Sequence, residues 1–267
     1  SDVCSSDLYG ASLLSDFSNS TFWLASAVIF PALIMAVIGL IDDVRKLSPW
    51  PRFIVQSLIG IISSLILVST DTVGSPTNSK IIDTVISVIW IVGLTNAINF
   101  FDNLDGGASG TVAISTFFIF FLAYINGQSF ISATSLVLCG CTVGFLAWNR
   151  PPARIYMGDA GALFLGILLA SLTIRLDPTP INSWARFTVL FGLVAVPILD
   201  TSVAVCSRLR RNISPFRGGR DHLSHRLIRN GLTKRQAITV LWLMTLFFSM
   251  VSVVISFSPF KYEGLIS

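Results

Sequence analysis

The run NAINFFDNLDGG, residues 96–107, lies between two apolar stretches, 81–94 and 110–125. Either stretch approaches the length that crosses a bilayer. Two amides, Asn96 and Asn99, and two carboxylates, Asp102 and Asp105, therefore stand where one membrane helix ends and the next begins. They recur every third residue, so a helix continuing through the run would project all four from roughly one face. Carboxylate and amide oxygens gathered at a membrane surface suit Mg2+, which keeps a few protein oxygens and fills its shell with substrate phosphates. A solvated helix end followed by a glycine-rich turn is the alternative that the rest of the chain must weigh against.

Outward from that run the chain is built for lipid. Only 12% of its 267 residues are charged and 53% are hydrophobic, with mean hydropathy +0.76, against about 25% charged in soluble domains. Apolar runs at 22–41, 53–69, 81–98, 110–125, 130–148, 159–176, 186–204 and 237–257 predict about eight spanning helices. Helices are required because lipid offers the backbone no hydrogen-bond partners. The expectation is an all-α polytopic bundle, one membrane-embedded domain over residues 21–267. The first twenty residues are polar and patternless, begin with Ser1, and carry no positively charged signal region. They read as an uninformative leader on a chain missing one or more N-terminal helices. Cys139, Cys141 and Cys206 fall in or at the end of apolar runs and Cys4 in the leader, a pattern of small packed side chains rather than disulfides or a zinc knuckle.

Charge orients the bundle. With alternating spans, fourteen of the 18 lysines and arginines fall on one side, from Arg45, Lys46 and Arg52 to Arg217, Lys234 and Arg235; only Lys80, Arg175, Arg186 and Lys261 fall on the other. The positive-inside rule assigns the first set to the cytoplasm. Seven acids share that side: Asp42, Asp43, Asp102, Asp105, Asp159, Asp200 and Asp221. Ionisable groups beside spans are costly and usually functional. Asp71, Asp83, Asp177 and Glu263 lie on the far side as solvated loop residues. No basic groove interleaved with aromatics argues for nucleic acid.

Three further segments carry candidate chemistry. GLIDDVRKLSPWPR, residues 39–52, closes the first helix on adjacent Asp42 and Asp43. These cannot share a helix face, so at a fraying end one approaches a metal while the other orients a cation or takes a proton. Acids are also disfavoured at a helix C-terminus by the dipole. WNRPPARIYMGDAGALFLG, residues 148–166, has a proline pair that stops helix, then Asp159 opening the next helix among small residues. Asp159 is either an N-terminal cap or part of a site where a diphosphate meets free N–H groups. Tyr156 suits a nucleobase or a membrane interface equally. The last basic loop, residues 207–236, holds both histidines, His222 and His225, with Arg220, Arg226 and Arg229 around them. Arginines grip phosphate bidentately, and histidine donates to phosphate or moves a proton near neutral pH. The loop between 70 and 80 and the Asn126-Gly127 turn carry no evident chemistry.

Taken together, Ile41-Asp42-Asp43, the NxxNxxDxxDG run at 96–106, Asn149 ten residues before Asp159, the MGDAG turn at 157–161 and the histidine-bearing basic loop resemble the polyprenyl-phosphate N-acetylhexosamine-1-phosphate transferase family. The resemblance covers residues 22–257 in the family's order. It implies transfer of a sugar 1-phosphate from a UDP-N-acetylhexosamine to polyprenyl phosphate, with release of UMP, on the cytoplasmic side of a bacterial plasma membrane. It implies Mg2+, with Mn2+ as substitute, held by Asp159 with Asp102. Asp42 or Asp43 would activate or position the lipid phosphate. Asn96, Asn99, Asp102, Asp105 and Asn149 would form the shell around the nucleotide, Tyr156 would lie near uracil, and His222 and His225 with Arg220 and Arg226 would face the sugar and phosphate. It leaves room for a homodimer. His222-Leu223-Ser224-His225 departs from the HxHH of the N-acetylglucosamine branch at Ser224, yet lacks the consecutive histidines of the pentapeptide branch, which favours the former. A secondary transporter would place its acids nearer mid-membrane. A CDP-alcohol phosphotransferase would need an arginine that DNLDGG lacks.

Overall fold

The computed structural model describes residues 25–69, 79–178, 183–214 and 219–257. The leader 1–20 with Cys4, Asp71 and most of the 70–80 loop, Arg217, Lys261 and Glu263 lie outside the described residues. Ten helices and no strand occur among those described: α1 (Ala25–Arg45), α2 (Pro49–Ser69), α3 (Lys80–Phe101), α4 (Gly107–Ile125), α5 (Ser129–Asn149), α6 (Gly158–Arg175), α7 (Ser183–Leu193), α8 (Ala195–Leu209), α9 (Leu223–Arg229) and α10 (Lys234–Phe257). Seven are long and apolar enough to cross a membrane, and α7 with α8 makes an eighth, broken span.

The most enclosed helix is α6, and with α3 it forms the spine of the bundle. α3 packs on α2, α6 and α8, while α4 packs on α5 and α10, and α10 on α7. Lipid tails are as apolar as leucine, so such contacts depend on close fit and interhelical hydrogen bonds. Gly166 of α6 supplies the fit, since a Cβ there would stand 2.8 Å from the Thr95 Cα of α3. Trp90 of α3 donates to Thr173 Oγ1 of α6 at 3.0 Å. The lipid-facing surface is left to side chains such as Phe30, Ile81, Phe247 and Val254, all exposed. Cys139, Cys141 and Cys206 are unpaired thiols.

Asp83 is not a solvated loop residue: it lies in the first turn of α3 and is 3% exposed. Three larger expectations also change. The 96–107 run is not one helix: α3 stops at Phe101, Asp102 is its C-cap at ψ +49°, and Gly106 at φ +77° turns the chain into α4. The spacing of Asn96, Asn99, Asp102 and Asp105 therefore aligns only the first two on a helix. The first helix does not fray before its acids either. It continues through Asp42 and Asp43 to Arg45 and ends at Lys46, whose φ of 49° is left-handed.

The third change is the 186–204 run, which is not one straight span. It bends by 77° between α7 and α8. Pro197 has no N–H for the carbonyl of Leu193, four residues earlier, and its ring crowds that carbonyl. Ser115 of α4 donates to the freed Leu193 carbonyl at 2.7 Å, so the break leaves no orphan there.

Candidate functional site

Carboxylates from three separated segments meet at one end of the bundle, where α1 and α3 stop and α6 starts. Successive residues on a helix point about 100° apart, and Asp42 and Asp43 diverge accordingly. Asp42 turns to its own connection: Oδ1 accepts from the Leu47 N–H at 2.6 Å and Oδ2 from Arg52 Nη1 at 2.6 Å. The same Arg52 nitrogen donates to Asp159 Oδ2. Asn99 Nδ2, from α3, donates to the other Asp159 oxygen at 2.7 Å. Asp159 is thus aimed by a guanidinium from α2 and an amide from α3.

Asp43 reaches the other way, to the start of α6. Its Oδ1 accepts from the Asp159 N–H at 2.8 Å and its Oδ2 from the Ala160 N–H at 3.1 Å. Met157, at the N-cap, has no oxygen to do this. A carboxylate from another helix therefore caps α6 and meets the positive end of its dipole. Two glycines permit the approach. Gly158 sits at φ +65°, and a Cβ on it would lie 2.6 Å from Asp43 Oδ2; a Cβ on Gly39 would lie 2.4 Å from the Asp159 carbonyl oxygen.

Asp102 stands differently from its neighbours. Its carboxylate accepts no hydrogen bond among the described residues. Burial first, then the negative charges of Asp159, Asp105 and Asp43, push its carboxyl up to about 7. An acid so placed holds a proton or a cation. Asp105 faces the proline loop, where its Oδ2 accepts from the Ala153 N–H at 3.1 Å. Asn149, 2% exposed, joins the two loops. Its Oδ1 accepts from the Gly106 N–H at 2.9 Å and Ser109 Oγ at 2.8 Å, and its Nδ2 donates to the Ile155 carbonyl at 3.0 Å.

The histidines lie alongside, tied to the same turn. Ser224 Oγ donates to Asn103 Oδ1 at 2.6 Å, pinning α9 next to Asp102. His222 is buried, with Nδ1 2.7 Å from Asp200 Oδ2 and Nε2 3.2 Å from Arg208 Nη2. Arginine only donates, so Nε2 accepts and Nδ1 carries the proton to Asp200. The second Asp200 oxygen accepts the Leu223 N–H at 2.7 Å. His222 therefore spends both ring nitrogens on holding the loop. His225, 6.1 Å away between ring centroids, is only partly buried. Burial first, then the neighbouring His222 and the Arg220 guanidinium, hold it below the usual histidine range.

The sequence-predicted residues thus fall into distinct places. Asp42, Asp43, Asp102 and Asp159 converge with Asn99, while Asp105 and Asn149 support the turn. Asn96 does not join them; its Nδ2 donates to the Val92 carbonyl of its own helix at 2.8 Å. Tyr156 is 74% exposed and makes no ring contact among the described residues. Arg220 is exposed, and Arg226 donates to the Asp221 carbonyl at 3.3 Å. Sequence reasoning missed Arg52 as the bridge, and Asp200 and Arg208 as the anchors of His222. Asp200 had a readable signal, an acid inside an apolar run. Arg52 had none beyond its charge.

No three acidic, histidine or cysteine side chains among the described residues gather closely enough to cage a metal by themselves. Asp102 and Asp159 instead offer the one or two carboxylates with which Mg2+ combines waters and phosphates. The unpartnered, charge-crowded carboxyl of Asp102 fits such an ion.

Comparison with known proteins bears on the same segments. Residues 25–177 match the family model described as glycosyl transferase family 4. The chain is 32% identical over 237 residues to the probable undecaprenyl-phosphate N-acetylglucosaminyl 1-phosphate transferase of Bacillus subtilis, covering 86% of this chain and 65% of that protein. It is 30% identical to the decaprenyl-phosphate N-acetylglucosaminephosphotransferase of Mycolicibacterium smegmatis, over 82% of this chain and 60% of the relative. A phospho-N-acetylmuramoyl-pentapeptide-transferase of Streptococcus mutans matches at 32% over 58% of this chain and 50% of its own length. The chain thus spans between half and two thirds of the length of these relatives.

Proposed function

The chain belongs to glycosyl transferase family 4, and from that premise we propose that it transfers N-acetylhexosamine 1-phosphate from a UDP-sugar to polyprenyl phosphate, releasing UMP. The observation that carries the reading is the meeting of Asp42 and Asp43 from α1, Asp102 from the α3–α4 turn and Asp159 from α6 at one end of a membrane bundle. The donor sugar is N-acetylglucosamine. Relatives named for N-acetylglucosamine transfer align over 86% and 82% of this chain, the pentapeptide-transferase relative over 58%. The product is the lipid-linked sugar that opens an envelope glycan, made at the cytoplasmic face of a bacterial plasma membrane.

A phosphate monoester has its second pKa near about 6, so polyprenyl phosphate already carries its nucleophilic oxygen at neutral pH. That oxygen attacks the β-phosphorus of the UDP-sugar, and the bond to the α–β bridging oxygen breaks to release UMP. The chain's main task is to hold two anions in line. Asp102 and Asp159 would hold Mg2+, or Mn2+ in its place, and the bound ion would supply charge neutralisation on the diphosphate. Arg52 and Asn99 fix the Asp159 carboxylate. Asp43 holds the start of α6, so its part is to position Asp159. Asp42, partly neutralised by Arg52, orients the lipid phosphate. His225 with Arg220 and Arg229 meets the donor phosphates, and His222 holds that loop.

The broken α7–α8 span is a feature a transporter shares, but the converging acids sit at helix ends, at one face. The test is UMP release from UDP-N-acetylglucosamine and undecaprenyl phosphate with Mg2+, with the UDP-muramoyl-pentapeptide donor in parallel. Asp159→Asn is expected to lower turnover by about 100-fold or more while the protein remains folded in detergent. Retained turnover at saturating Mg2+ would remove Asp159 from the metal site, and turnover with the pentapeptide donor alone would move the enzyme to that branch.

A further inference from the structure

A cavity opens between the proline loop, residues 150–154, and the start of α10, with none of the converging acids in its lining. Its volume is about 590 Å3, and it is lined chiefly by Trp148, Arg150, Arg154, Arg235, Ile238 and Trp242, a size within the usual range for ligand sites. No carboxylate lines it. None of its three arginines is in an ion pair among the described residues. Arg150 is exposed, Arg154 lies over the Trp148 ring at 5.8 Å, and Arg235 Nε donates to the Pro151 carbonyl at 3.3 Å, leaving its terminal nitrogens free. Three guanidinium groups are thus uncompensated around one cavity.

The cavity is also firmly built. The Arg154 N–H donates to the Trp148 carbonyl at 2.8 Å, and Asp105 and Asn149 hold the loop from behind through Ala153 and Ile155. On α10, Arg235, Ile238 and Trp242 recur at spacings of three and four and so share one face. Trp242 Nε1 donates to the Gly106 carbonyl at 3.2 Å, fixing that face to the α3–α4 turn.

Its position relates this charge to lipid. α5 ends at Asn149 and α10 begins at Lys234, so the arginines lie at the ends of two spans, at headgroup depth. Ile238 and Trp242 lie deeper along α10, toward the bilayer core. Charged mouth and apolar floor have the polarity of a phospholipid. Basic recesses between spanning helices hold anionic headgroups, and tryptophan favours this interface.

We propose that this cavity binds the phosphate-bearing headgroup of an anionic membrane phospholipid, at a site separate from the acidic cluster. Guanidinium groups take the phosphate oxygens in paired hydrogen bonds, and the two tryptophans flank the glycerol and upper acyl region. The lipid would lean on the proline loop that Asp105 and Asn149 also hold.

The test compares the protein in phosphatidylcholine nanodiscs with and without phosphatidylglycerol, reading the thermal midpoint and the lipid retained in native mass spectrometry. Phosphatidylglycerol is expected to raise the midpoint and to be retained. Arg154→Gln, which removes no hydrogen bond among the described residues, should weaken retention about fivefold, and the triple change R150Q/R154Q/R235Q about 100-fold. Arg45→Gln, on the same face but outside the cavity, should change neither reading. Equal retention in the triple variant, or an equal loss in Arg45→Gln, would overturn the site. A shift with inorganic phosphate or UMP in pure phosphatidylcholine that the arginine changes abolish would overturn the headgroup as its source.

Discussion

At the scale of single residues, Gly158 shows how little room the centre allows. It combines φ +65° with a carboxylate oxygen 2.6 Å from where a Cβ would stand. Gly158→Ala therefore meets backbone strain of about 1–3 kcal/mol and displaces Asp43 from the start of α6. A lower thermal midpoint in detergent together with lost UMP release is expected, and an unchanged midpoint would mean that Asp43 does not cap α6. Asp102 gives a pH prediction. Its carboxyl moves from 3.8 in the unfolded chain to about 7 in the fold. Between those values the folded protein keeps a proton that the unfolded chain has lost, so stability falls as pH rises through that window. Without divalent cations, the unfolding midpoint should drop from about pH 4 to about pH 7, and Asp102→Asn should flatten the drop. On the proposed reading Mg2+ would take the ionised form, so adding it above pH 7 should restore stability to the native chain and not to the variant.

At the scale of elements, what was legible followed from local pattern and what was not depended on partners from elsewhere. The apolar runs located the spans because each needs only its own composition. The acids at 42, 43, 102 and 159 were legible because charge beside a span is rare. Asp43 as a cap for α6 was not legible, since its partners are backbone groups 116 and 117 residues away. The break at α7–α8 had a visible cause in Pro197, masked by an unbroken apolar run. That break places Asp200 in the interior, 0% exposed, where it holds His222 and the N-terminus of α9. Asp200→Asn keeps one acceptor oxygen and sets an amide NH2 against the other buried donor, His222 Nδ1–H or the Leu223 N–H. A buried donor left unpaired costs about 1–3 kcal/mol. The loop after α8 should loosen before the bundle does. Limited trypsin digestion in detergent should then cut between residues 208 and 235 several-fold faster while the span α10 stays protected. Unchanged cleavage would mean that other contacts fix the loop.

At the scale of the whole molecule, the acids, the histidine loop and the basic residues share one end of the bundle, and the charge gradient across it is the sequence-level sign of that. By the alternation of spans along the sequence, fourteen of 18 basic residues are assigned to the side of Asp102 and Asp159. The Asn126-Gly127 turn between α4 and α5 lies at the opposite end, because α4 starts beside the acids and runs 19 residues away from them. A helix of that length rises about 28 Å, the thickness of a hydrocarbon core. If α4 spans the bilayer its two ends face different compartments, and the positive-inside rule predicts the cytoplasm for the end that carries the acids. Single cysteines at Asn126 and Arg229, in a chain whose own cysteines are replaced by serine, separate the alternatives. A membrane-impermeant maleimide applied to intact spheroplasts should label Asn126→Cys at once, and Arg229→Cys only after permeabilisation. The reverse order would put the carboxylates on the outer face, away from cytoplasmic UDP-sugar, and a nucleotide-dependent transfer there would have no donor.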